Sequence, residues 1–277
     1  MIGPLILGGR WAAAAAFVAL AVAGAANAAT CTGACGTGVA NGDVANPPGA
    51  SSYGWVSTFG GVDGAGQLAG IGGTNGSSFT TSAFHAQAGQ DLSYYFNYIS
   101  SDGQDGSGQF IFEDYASVQL IDAASGQTVA VLFDARSEPT GNIVPGAGLP
   151  PVDPGVTLTP GSATMQSGSG ADGNFSGGPV WSQLGDYSGW CWGAGCGQTG
   201  WIKSNYQVGQ TGDYRLAFGV SNWGDTVYDS GLAYSTIKIG EQEIEDGVPE
   251  PATWAMMIIG CAGVGAALRR RRPEITA

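Results

Sequence analysis

The run Tyr214-Arg215-Leu216-Ala217-Phe218-Gly219-Val220 alternates large apolar side chains with small or polar ones at a period of two. Successive side chains of an extended strand point to opposite faces, so this pattern predicts a strand with one buried face. Leu92, Tyr94, Phe96 and Tyr98 alternate in the same way with Ser93, Tyr95 and Asn97, as do Val129, Val131 and Phe133 within 127–134. Further strands are expected over 53–58, 78–85, 110–121, 200–208 and 232–239. Turn clusters such as Ser101-Asp102-Gly103 and Asn222-Trp223-Gly224-Asp225 separate them. No stretch between Ala29 and Gly247 has a convincing helical period. Many separate half-buried strands predict an all-β, two-sheet β-sandwich, jelly-roll-like, forming one domain over 29–240. The Gly-, Pro- and Ser-rich stretch 138–178 is expected as a long loop with one short strand at 155–158. The acidic 241–248 is expected as a solvated linker.

Composition agrees with a loop-rich β protein. The 277 residues include 49 glycines, 28 aromatics and 31 charged residues, without a Gly-X-Y period. Between Ala29 and Gly247 four basic residues (Arg136, Lys203, Arg215, Lys238) face twenty acidic ones, a net of −16. Such a body repels phosphate backbones and anionic membrane surfaces, which excludes a nucleic-acid role.

The N-terminus carries one cation, Arg10, then an apolar run from Trp11 to Ala26, and closes on Ala26-Asn27-Ala28. This reads as a signal peptide over 1–28, cut after Ala28; the alternative is an N-terminal membrane anchor. Four of the five cysteines lie in the exported body, in two close pairs, Cys31 with Cys35 and Cys191 with Cys196, and the fifth, Cys261, lies in the C-terminal apolar stretch. An exported protein is expected to oxidise them. Short spacing favours the two local bridges, each pinning a Gly-rich turn, while a bridge from the N-terminal pair to the later loop stays open. Zinc is disfavoured because neither spacing is CxxC and the one histidine, His85, is distant.

The C-terminal stretch reads Val248-Pro249-Glu250-Pro251-Ala252-Thr253-Trp254-Ala255-Met256-Met257, continues apolar through Leu268, and ends in Arg269, Arg270, Arg271 and Arg272. As a helix, Ala252 to Leu268 would span about 26 Å, at the lower edge of what crosses a bilayer. The arginines would then stay on the cytoplasmic side. Through Pro249, Glu250, Pro251, Trp254, Ala255 and the arginine cluster, this tail resembles the PEP-CTERM sorting signal in its PEPxxWA form. The resemblance implies a Gram-negative, exopolysaccharide-producing source and recognition by an exosortase, a membrane-embedded cysteine transpeptidase. The 249–272 segment would hold the precursor transiently in the inner membrane. The body would then pass to the cell surface or extracellular matrix, with exopolysaccharide as a possible partner. The alternative is a plain single-span anchor.

The body is similar to an uncharacterised family of PEP-CTERM proteins. The similarity rests on 96–103, on Gly189-Trp190-Cys191 with 195–201, and on 218–223; it implies no activity. For catalysis, a Ser-His-Asp triad would have to use His85, with no GxSxG nearby. Glu113 and Asp114 are adjacent, so on a strand they would face opposite ways. No cofactor and no catalytic residue are assigned, and the chain is read as non-enzymatic, with a structural or adhesive role. A calcium-dependent lectin-like module is the alternative and a polysaccharide hydrolase the third reading. Asp102 with Asp105, and Asp225 with Asp229, are candidate Ca²⁺ oxygens or simple turn formers. Trp181, Trp190, Trp192, Trp201 and Trp223 are candidate core caps or a sugar-stacking platform.

Overall fold

Eight principal strands organise the residues described by the computed structural model, 28–104 and 111–244. They are β1 (Tyr53–Ser57), β2 (Asn75–Thr80), β3 (Asp91–Ser100), β4 (Tyr115–Asp122), β5 (Thr128–Arg136), β6 (Ile202–Gln207), β7 (Gly212–Ser221) and β8 (Ser230–Ile239). One antiparallel sheet runs β2-β7-β4-β5 and the other β1-β8-β3-β6. The chain changes sheet at every connection between neighbours except the β4–β5 hairpin and thereby closes the sandwich with jelly-roll strand order.

The alternation read in the sequence is the alternation of burial. Tyr214, Leu216, Phe218 and Val220 on β7 are buried, and Arg215 and Ala217 are half-buried on the outer face. Phe218 stacks on Tyr234 of β8 with ring centroids 4.0 Å apart, and meets Tyr94 of β3 edge-on at 5.8 Å. Phe96 and Phe133 close the same layer at 4.1 Å. An aromatic seam thus joins the two inner faces, where stacked and edge-on rings add to the effect of burial. On β3 the alternation stops after Tyr95: from Phe96 onward both faces are buried. A second apolar cluster explains this, with Ile99, Tyr53, Ala233, Val44, Trp181 and Leu184 covering the outer face of the β1-β8-β3 sheet.

Three boundaries differ from the sequence expectation. The strand expected over 78–85 is two strands, Asn75–Thr80 and Phe84–Ala86, with Thr81 between them donating its N–H to the Leu216 carbonyl (2.9 Å). The strand expected over 110–121 begins at Tyr115, because Glu113 and Asp114 are drawn into a buried loop. Of the solvated linker expected over 241–248, residues 241–244 are described and continue the fold. Gly240 (φ 58) turns the chain, Gln242–Glu243 pairs back onto Lys238 and Ile239, and Ile244 enters the core at 8% exposure. Left-handed backbone at this tight turn suits glycine.

The stretch 138–178 is anchored rather than dangling. Ile143, Val144 and Ala163 are buried in the main core, and Val156–Thr159 pairs with the edge of β6. The sequence reading missed two strands before β1. Thr30–Thr32 pairs with β2 in one sheet and Ala34–Gly38 pairs with β1 in the other. The Cys31–Cys35 disulfide spans the corner between them at Gly33 (φ 81). It ties together neighbouring edges of the two sheets, more than the simple turn expected.

Candidate functional site

The ends of β1, β3, β5 and β7 and the starts of β2, β4, β6 and β8 share one end of the sandwich, so 58–74, 101–104, 111–114, 137–201 and 222–229 meet there. This end collects an unusual density of buried acid: Asp102 is 1% exposed, Glu113 2%, Asp114 0% and Asp229 4%. Burial of a carboxylate is costly unless the charge is paired or neutralised. Asp229 accepts a hydrogen bond from Thr58 Oγ1 (2.7 Å), and its carbonyl takes both the N–H and the hydroxyl of Ser101 (3.1 and 2.8 Å). Asp114 accepts from the Trp223 N–H (3.1 Å), and its carbonyl accepts from the Tyr98 hydroxyl (3.0 Å). With its amide turned to suit its neighbours, Asn222 Nδ2 donates to Asp114 Oδ2 at 2.8 Å.

Asp102 differs: among the described residues, neither of its buried carboxylate oxygens has a hydrogen-bond partner of good geometry. Burial and the nearby charges of Asp114, Asp225 and Glu113 push its carboxyl up to about 10, against a weak pull from the Gly103 N–H. Burial likewise holds Asp114 well above the usual carboxylate range, despite hydrogen bonds from Ser230 and Trp223. Asp229 is pushed up to about 6, chiefly by burial. Arg136, 3% exposed, supplies the local positive charge. Its guanidinium lies 4.6 Å from the Trp223 ring centre and 5.6 Å from that of Tyr115, in the range of cation–π attraction.

Aromatic side chains cover the same end. Trp192, on the loop closed by the Cys191–Cys196 disulfide, lies against Tyr228 at 5.5 Å, and Tyr228 lies against Tyr187 at 4.8 Å. All three are half-buried. Tyr228 sits at φ 60, a conformation rare for a bulky residue and one that concentrates at functional sites. Trp190 is 39% exposed. Trp181 and Trp201 belong elsewhere: Trp181 is fully buried with its indole N–H on the Tyr53 hydroxyl (3.0 Å), and Trp201 packs against the same cluster. The tryptophans therefore divide, with Trp181 and Trp201 in the core and Trp190, Trp192 and Trp223 toward the loop end.

The other candidate residues fall as follows. The two disulfides are the local pairs Cys31–Cys35 and Cys191–Cys196, which removes the thiolates a zinc site would need. Among the described residues no group of three or more His, Cys, Asp or Glu is placed to hold a metal ion. Asp105 lies outside the described residues. Asp225 Oδ1 caps the Val227 N–H (3.1 Å), ordinary turn chemistry. His85 is exposed and pairs with Asp213 at 2.9 Å, on the strand segment beside β7. Tyr187, Tyr228 and the burial of the acids carried no signal in the sequence, since each depends on loops distant along the chain.

Because Cys191 and Cys196 are buried (2% and 4%) and Cys31 is exposed, mild reductant is expected to open Cys31–Cys35 first. Loops this short add less than the roughly 3 kcal/mol of a 15-residue loop. Thiol labelling of the processed protein, which lacks Cys261, should find two thiols before four, with the far-ultraviolet circular dichroism unchanged. Simultaneous release of all four thiols with unfolding would contradict it.

The signal peptide expected over 1–28 and the tail residues Pro249, Glu250, Pro251, Trp254, Ala255 and Arg269 to Arg272 fall outside the described residues, apart from Ala28. No described helix is long and apolar enough to cross a membrane. Comparison with protein families finds the PEP-CTERM protein-sorting motif at residues 247–272. No curated protein and no solved structure matches the chain. The motif marks a membrane-anchored precursor that an exosortase processes and that is sorted to the cell surface or extracellular space of a Gram-negative bacterium.

Proposed function

We propose that this sorted protein is a non-enzymatic structural or adhesive component of the cell surface or exopolysaccharide matrix, exported through a signal peptide ending at Ala28. The observation that carries the reading is the order along the chain. Two residues, 245 and 246, separate the last described core residue, Ile244, from the sorting motif at 247–272. After processing, this order leaves a folded sandwich held close to its point of attachment, with little linker between. The buried acids support a structural role, since Asp114 and Asp229 spend their hydrogen-bonding capacity on neighbouring loops.

A second reading, a carbohydrate-binding module, is favoured by one feature, the half-exposed Tyr187, Trp192 and Tyr228 on three converging loops. For a hydrolase, Glu113 and Asp114 would have to meet substrate, and both are buried.

The adhesive reading is tested by deleting the gene and measuring cell aggregation and matrix retention. Both should fall, and the full chain should restore them, whereas a chain ending before Pro249 should not. Unchanged aggregation in the deletion strain would contradict the proposal.

A further inference from the structure

We propose that the loop end formed by Tyr187, Trp192 and Tyr228, with Asp186 and Asp225 beside them, binds a polysaccharide bearing free amines, an amino-sugar polymer. The inference deepens the adhesive reading and rests on it for the polymer's being encountered outside the cell.

Three observations converge. First, the aromatic set is assembled from separate segments: Tyr187 from the short 3-10 turn Ser182–Tyr187, Trp192 from the disulfide-closed loop, and Tyr228 from the β7–β8 loop. Half-exposed rings on pinned loops present a broad apolar face with little rotamer freedom to lose, which suits the C–H face of a pyranose. Second, Tyr228 is held in left-handed backbone at φ 60, at a cost of order 1–3 kcal/mol. Its ring lies against both of the others, at 4.8 Å from Tyr187 and 5.5 Å from Trp192.

Third, the charge around the rings selects the ligand. Asp186 is exposed and Asp225 is half-buried. Asp186 adjoins Tyr187 in the chain and Asp225 lies on the same 222–229 loop as Tyr228, and burial together with the charges of Asp229, Asp225 and Asp186 holds the Tyr187 hydroxyl above its ordinary range. The four basic residues of the body lie elsewhere or, as with Arg136, are covered by Trp223. An acidic polysaccharide meets repulsion here. A protonated amino sugar meets carboxylates and ring faces that attract cations.

The test uses the processed protein recovered from the cell surface, with glucosamine oligosaccharides and their fully N-acetylated counterparts as probes, read by tryptophan fluorescence and calorimetry. The expected result is binding of the free-amine oligomer with at least a tenfold preference over the acetylated one. Trp192→Ala should weaken binding about tenfold. It leaves the net charge unchanged, so the loss separates a stacking platform from general attraction to an acidic protein. Asp186→Asn, at an exposed position, should weaken it several-fold, and Tyr228→Gly, which tolerates the left-handed backbone, should do so without unfolding. Equal binding of both oligomers, no binding, or binding unaffected by Trp192→Ala would overturn the proposal. Because binding is measured on purified protein, its failure leaves the aggregation phenotype of the deletion strain to be judged separately.

Discussion

Asp102→Asn is expected to raise the melting temperature at pH 8 by at least about 4 °C and to leave it nearly unchanged at pH 4. The reason is the fate of one proton. Both oxygens of Asp102 are buried without a partner of good geometry among the described residues, and burial with the charges of Asp114, Asp225 and Glu113 raises its carboxyl to about 10 in the folded chain. An unfolded aspartate titrates near 3.9. A group raised on folding contributes its full stability below the unfolded value and loses it as pH rises through the folded one. In the limit of one uncoupled group, each pH unit in that window is worth about 1.4 kcal/mol. Asp134, fully buried and raised to about 7, and Asp229, raised to about 6, act in the same direction over narrower windows. Asp43 and Asp122 are lowered, so their effect falls below pH 4 and does not oppose this trend. The wild-type protein should therefore be more stable at pH 5 than at pH 8, and the asparagine variant should flatten that slope. Thermal unfolding across pH 4–8 measures both. A wild-type melting temperature that rises toward pH 8, or a variant less stable there, would show that Asp102 is ionised and compensated.

Replacing Pro249, Glu250 and Pro251 together by alanine is expected to abolish processing. The sorting motif spans 247–272, and the triplet stands before the apolar run that ends at Leu268. Prolines on both sides of the glutamate disfavour helix through that stretch and favour extended chain, the form in which a peptide bond is reached by a transpeptidase. Alanine removes both restraints and adds helix propensity continuous with the apolar segment. A membrane-bound precursor of full tail length should accumulate, detected by fractionation and immunoblot. A variant shortened and released at the wild-type rate would point to processing that does not read the triplet.

The sandwich was legible where its two faces differ. Tyr214 to Phe218 and Leu92 to Phe96 wrote their burial in alternation because one side meets the aromatic seam and the other meets solvent or a thin cover. Thr30–Thr32 and Ala34–Gly38 left no such mark. They are short edge strands, the first exposed and the second mostly half-buried, whose formation comes from backbone pairing with β2 and β1 rather than from a fully buried face. Gln242–Glu243 read as solvated charge, which it is, and the hairpin that carries it depends on Gly240 and on Ile244 reaching the core.

The loop end was harder. Asp102 beside Gly103 has the signature of an exposed turn, and its burial comes from loops that arrive from 111–114 and 222–229. Of the tryptophans, sequence supplied the candidates but not their division, because Trp181 is buried by a layer that the jelly-roll pattern alone does not require. The sorting motif, in contrast, was legible from the tail, since such a motif is read by another protein as sequence.

The most direct test of the account is the intact mass of the protein recovered from the cell surface or medium, compared between wild-type cells and cells lacking the exosortase. The account predicts a wild-type chain that begins at Ala29, ends at or near Pro249-Glu250-Pro251, lacks the segment through Arg272, and contains two disulfides. It also predicts a precursor retaining Arg269 to Arg272 when the exosortase is absent. Recovery from wild-type cells of a chain that still carries the arginine cluster would contradict it.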